Sequence, residues 1–155
     1  MSVLIRTATV DELTPRTLYA ILRLRADVFV VEQRCAFPEL DGRDLEAGTR
    51  ILWAEDAHGE LLGTLRLLDE GEGCVQISRV TTSAAARGRG IGGRLVAAAL
   101  EQLTEAPAVV LNAQSRLEPW YGGFGFQRDG EDFLEDDIVH VPMRRLRPEP
   151  VTPHR

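Results

Sequence analysis

RVTTSAAARGRGIGGRLV, residues 79–96, joins a β-like segment to a helical one. Its inner RGRGIGG, residues 87–93, packs four glycines and two arginines into seven residues. The start of a helix exposes backbone N–H groups without partners and carries about half a positive charge. Gly88, Gly90, Gly92 and Gly93 remove the side chains that would hold a bulky anion away from that backbone. Arg87, Arg89 and Arg94 add positive charge beside it. A flexible linker with solvated arginines would account for the composition, but not for its place between a strand and a helix. The pattern points to a phosphate or pyrophosphate ligand.

Gly88, Gly90 and Gly93 also satisfy G-x-G-x-x-G. A dinucleotide fold puts those glycines directly after a strand, with an acidic residue about twenty positions on. Here SAAAR intervenes, the next strand-like segment ends in Asn112, and the next acid after it is Glu118. A second mononucleotide-binding half is also missing, so the dinucleotide reading fails on context.

Outward from this junction the chain alternates in type. VLIRTAT (3–9) reads as a strand, and Asp11 or Thr14 can cap a helix that has Pro15 in its first turn. Leu18, Ile21, Leu22, Arg25, Val28 and Phe29 keep helical spacing to about Gln33. Residues 34–48 form a polar loop. TRILWAED (49–56), ELLGTLRLLD (60–69) and GCVQISRVTT (73–82) read as strands. A helix runs from 91 to about Glu105 and stops before Pro107. AVVLNA (108–113) has the fully apolar character of a buried strand. A short helix over 115–122 is broken by GGFGF, and DDIVHVPM (136–143) reads as the last strand. The closing RRLRPEPVTPHR is Pro- and Arg-rich and reads as loosely held. This order gives an α+β fold with a parallel strand pair around the 91–105 helix. We set one domain over 1–146 and a tail over 147–155.

The totals narrow the functions. A chain of 155 residues with 44% hydrophobic content suits one domain with its own core. A net charge of −6 argues against a nucleic-acid partner, which needs a basic face. No apolar run approaches a membrane span, and the N-terminus shows no secretion signal, so a cytoplasmic location is expected. Cys35 and Cys74 have no metal-ligand spacing and read as reduced, mostly buried thiols, so no metal is expected. The chain contains no lysine, which removes a GK[ST] phosphate loop and any Schiff-base chemistry.

Arg87-x-x-Gly90-x-Gly92 resembles the pyrophosphate-binding pattern of the GNAT N-acetyltransferases. QSRLEPWYGGFGF (114–126) is similar to that family's second signature, a short helix bearing a tyrosine and then GF. LRLRADVFVVEQRCAFPELDGRDLE (22–46), with EDDIVHVPM near the end, resembles the ElaA-like branch. The resemblance implies a mixed, splayed sheet flanked by helices, with acetyl-CoA as co-substrate between segments 73–82 and 108–113. On this chain the backbone of Val80 and Thr82 would bond the pantetheine arm, and the Val80 N–H would polarise the thioester carbonyl. The backbone of Arg87, Gly88, Arg89, Gly90, Ile91 and Gly92 would cradle the pyrophosphate. Gln114 stands where many members carry an asparagine that contacts the cofactor. Tyr121 would be the general acid; without the resemblance it reads as packing beside Trp120 and Phe124.

The resemblance also implies direct transfer to an amine, small molecule or peptide, whose proton needs a base. Candidates are Glu32, Glu39, Asp41, Asp136 and His140. Glu39, Asp41 and Asp136 sit in polar or acidic runs and read as solvated carboxylates. Glu32 ends the amphipathic helix and is the first choice; His140, on a strand, is the second. A homodimer is compatible with the chain, and nothing points to a membrane partner. The alternative function is a non-catalytic module that binds acyl-CoA or a nucleotide.

Overall fold

The structure is a computed structural model and describes residues 2–148. Strand β1 (Val3–Ala8) leads through a 3₁₀ turn into helix α1 (Pro15–Ala26). The Thr14 hydroxyl accepts the Thr17 N–H at 3.2 Å, and Pro15 takes the first helical position. Thr14, not Asp11, is therefore the cap. The helix does not run unchanged to Gln33. At Asp27 it widens into a π-turn, Asp27–Glu32.

Strands β2 (Arg50–Asp56), β3 (Leu61–Asp69) and β4 (Val75–Thr82) form an antiparallel meander with β1 on its outer edge. Helix α2 (Ile91–Gln102) then crosses to β5 (Ala108–Gln114), which lies parallel to β4. Helix α3 (Glu118–Gly122) precedes β6 (Gln127–Arg128), β7 (Phe133–Glu135) and β8 (Ile138–Leu146). The sheet order is β1-β2-β3-β4-β5-β8-β6, with β7 also on β8.

The sheet is buried on both faces, which its sequence pattern requires. In β2, Leu52 and Ala54 belong to the core under α2, while Ile51 and Trp53 pack with Ile21 of α1. Ile91, Leu95, Val96 and Ala99 give α2 a face at most 2% exposed. Each such aliphatic side chain contributes roughly 1.5–3 kcal/mol through burial. At Gly63 a Cβ would lie 2.8 Å from the Thr81 carbonyl and 3.0 Å from Ile91, so a bare backbone lets α2 sit this close.

Two sequence expectations change. The last strand does not begin at Asp136. Asp136 and Asp137, at φ 51° and 63°, form the tight turn between β7 and β8, and the strand starts at Ile138. It also runs further than expected: Arg144, Arg145 and Leu146, read as part of a loose tail, pair with Val110, Val109 and Ala108 of β5. From residue 149 the expected tail lies outside the described residues. Among the described residues no helix is long and apolar enough to cross a membrane.

Candidate active site

β4 and β5 are hydrogen-bonded only at Val75–Val109 and Gln76–Val110. Beyond that point they part, so from Ile77 onward β4 has no β5 partner. A bulge sharpens the divergence. The β3–β4 register slips between Thr64 and Arg66, opposite Arg79, which stands at φ 55°. The slip also explains why the apolar alternation of Val75 and Ile77 resumes at Val80, one position late. Between the parted strands lies a cavity of about 890 Å³.

Val80, Thr82 and Arg87 line this cavity on one side, and Gln114, Tyr121 and His140 on the other. Glu32 also reaches it from the π-turn. Of the glycine loop only Arg87 lines the cavity; residues 88–92, which lead into α2, do not. Gly90 is the N-cap of α2 at φ 73°, no side chain caps it, and Gly88 is at φ 81°. A Cβ on either glycine would meet nothing within 4 Å, so the loop's outer surface is open. Arg94 is the first helical residue whose N–H bonds to the Gly90 carbonyl. The amides of Ile91, Gly92 and Gly93 thus keep the orphan character of a helix start, suited to an anion. The Ile91 side chain is 2% exposed and belongs to the core, so it can offer a ligand only backbone. The Arg89 guanidinium turns back to the Ala85 carbonyl at 3.0 Å.

Tyr121 is 6% exposed, edge-on to Trp120 and Phe126. Burial pushes its phenol up to about 12, so it stays protonated at neutral pH. The His140 ring stacks on Phe133, and its Nδ1 lies 2.8 Å from the Ile138 carbonyl. A carbonyl only accepts, so the neutral ring carries its proton on Nδ1 and leaves the Nε2 lone pair free. Glu135 is 3.8 Å from Nε2. Gln114, opposite His140 in register, accepts from Arg116 at 3.0 Å.

Glu32 is bound to Arg87 by two 2.6 Å bonds, and this pairing holds its carboxyl below the usual carboxylate range. Glu39, expected to be solvated, is buried, while Asp41 stays exposed as expected but is ion-paired. Glu39 is 5% exposed; its Oε1 accepts from both Arg25 and Arg79 at 2.8 Å. Asp41 takes the Arg66 fork at 2.9 and 3.1 Å. Burial would raise its carboxyl, but the Arg66 fork, the Arg43 amide and the Arg79 charge hold it at about 2. Asp44 joins the same cluster through Arg25 at 2.7 Å. Sequence reading missed this network. Its one visible sign was Arg25, an arginine on the apolar face of α1. Asp136 stays exposed, but its carbonyl accepts the Cys35 thiol at 2.7 Å. Cys35 and Cys74 are free and only half-buried, and Cys35 borders the cavity.

Comparison with known proteins agrees with this architecture. Residues 28–147 match the Acetyltransferase (GNAT) domain family. Protein ElaA of Escherichia coli is 40% identical over 142 residues, covering 87% of this chain and 91% of its own. UPF0039 protein Mb2876c of Mycobacterium bovis is 47% identical over 148 residues, 94% of each chain. Among solved structures, an acyl-CoA N-acyltransferase from Pseudomonas aeruginosa superposes with a TM-score of 0.86 at 45% identity. It covers 93% of this chain and 99% of its own. The splayed β4–β5 pair, the glycine loop at the start of α2 and this family match lead to one conclusion: the chain belongs to the GNAT acetyltransferase family and is an acyl-CoA-dependent acyltransferase.

Proposed function

We propose that the protein moves an acetyl group from acetyl-CoA directly to the nitrogen of an amine. The parting of β4 and β5 after Gln76 and Val110 carries this reading. It leaves a gap between the strands, and Arg87 on its wall leads directly into the uncapped start of α2. An extended pantetheine arm fits there as an added strand along Val80 and Thr82. The Val80 N–H then faces the thioester carbonyl and stabilises the charge that develops on it. The backbone from Arg87 to Gly92 receives the pyrophosphate, and the Gln114 amide faces the arm from β5.

Transfer forms a C–N bond and breaks the C–S bond. We assign the proton leaving the amine to Nε2 of His140, whose imidazolium has Glu135 beside it. Glu32 is less suited to this role. Arg87 stabilises its charged form, which weakens it as a base, and ties it to the phosphate end of the cavity. Tyr121 donates to the departing sulfur, and solvent restores both groups. Neither Cys35 nor Cys74 carries the acyl group.

The test is thiol release from acetyl-CoA with a panel of amines, with products read by mass spectrometry. Amine-dependent release and an acetylated amine are expected. Acetyl trapped on Cys35 or Cys74 at the turnover rate would overturn direct transfer. The absence of lysine leaves no side-chain amine to give a background amide. Binding of CoA without thiol release from any amine would make the chain a binding module instead.

A further inference from the structure

Arg87 stands at the mouth of the glycine loop, yet its fork is already filled. Its two terminal nitrogens each donate to one Glu32 oxygen at 2.6 Å, across 55 residues of sequence. A carboxylate and a phosphate present the same pair of oxygens to a guanidinium, so one fork cannot hold both. The exposure of the pair decides whether exchange is feasible. Arg87 and Glu32 are 45% and 47% exposed, so Glu32 can return to water at little cost. The Arg79 fork, also on the cavity, differs. Arg79 holds Glu39, whose side chain is 5% exposed, and displacing that carboxylate would strand a charge away from water.

The carrier of Glu32 matters equally. It closes the π-turn Asp27–Glu32, and Val28, Phe29, Gln33 and Cys35 around it also line the cavity. Single π-turns inside helices are rare and gather at functional sites. The Cys35 thiol, three residues on, is bonded to the β7–β8 turn. One short segment thus touches the phosphate end of the cavity through Glu32 and its opposite wall through Cys35.

We propose that Glu32 is an internal stand-in for the cofactor's phosphate, occupying Arg87 in the ligand-free protein and displaced from it when acyl-CoA binds. The exchange lowers the affinity of the loop for anions and releases the end of the π-turn only once the cofactor is seated. This rests on the acyl-CoA reading of the loop.

Calorimetric titration of CoA into the full chain tests it, using wild type, Glu32→Gln, Arg87→Gln and the double variant. Glu32→Gln should bind CoA roughly two- to five-fold more tightly, the range expected for a surface ion pair. Arg87→Gln should bind it more weakly. In the Arg87→Gln background the Glu32 substitution should have no further effect. Unchanged or weaker binding by Glu32→Gln overturns the exchange. A gain that persists without Arg87 also overturns it, because the carboxylate would then act by simple repulsion. If wild type binds CoA and either result appears, only the exchange falls; if wild type fails to bind CoA, the acyl-CoA reading falls with it.

Discussion

Tyr121 and His140 show how burial and hydrogen bonding set the chemistry of single residues. Tyr121 packs between Trp120 and Phe126, and the same burial that makes it look structural keeps its proton in place, near pKa 12. Packing and proton donation are compatible because the ring serves one and the hydroxyl the other. Tyr121→Phe keeps the ring. It should lower kcat by roughly 10²–10⁴-fold while calorimetry finds CoA affinity unchanged, the range for loss of one acid–base group. His140→Ala should act in the same sense, since it removes the Nε2 to which we assign the amine's proton. Native turnover in either variant would return that residue to packing.

The start of α2 is the element to which we assign the cofactor's pyrophosphate. Gly90 at φ 73° serves as cap without a side chain, which leaves the first amides for a ligand. A β-branched residue is strained at that angle by about 1–2 kcal/mol, too little to unfold a helix whose far face is core. Gly90→Val should therefore keep a native circular-dichroism spectrum and lose CoA binding below calorimetric detection. Tight binding by that variant would mean the phosphate sits elsewhere. The π-turn is the other element of consequence, because it puts Glu32 against Arg87 instead of continuing the helical spiral of α1.

At the scale of the whole molecule, a buried charge network fastens the loop after the π-turn to the sheet. Arg25 reaches Glu39 and Asp44 from α1, Arg66 reaches Asp41 and Asp44 from β3, and Arg79 reaches Glu39 and Asp41 from β4. Removing Arg25 leaves Glu39 and Asp44 charged and largely dry. Arg25→Ala should cost about 3–5 kcal/mol in denaturant unfolding, typical of breaking a buried pair from one side. Acid should act through the same residues. Asp41, at about 2 when folded, and Asp44, also lowered, titrate below the roughly 3.9 of an unfolded aspartate. Their contribution is fully present above about pH 4 and is lost as pH falls toward 2. The melting temperature should drop across that window, and a flat profile there would contradict the network's role.

The sequence by itself determined the order of the longer strands and helices, though not β6 and β7, and it placed the single parallel crossover and a glycine loop at the start of α2. These rest on local signals: apolar period, a cap candidate (Asp11 or Thr14) ahead of Pro15, and glycines where backbone must be bare. It also supplied Val80, Thr82, Arg87, Gln114, Tyr121 and His140, all of which the fold gathers around one cavity. It misjudged Glu39 and could not choose among bases. Arg25 meets Asp44 across 19 residues, Arg79 meets Glu39 across 40, and Glu32 meets Arg87 across 55. No local pattern encodes such pairings. Whether a carboxylate is solvated, locked beneath an arginine or poised on a cavity wall depends on which chain segments pack against it. Tertiary structure alone decides that, because Coulomb energy and desolvation act through space and not along the sequence.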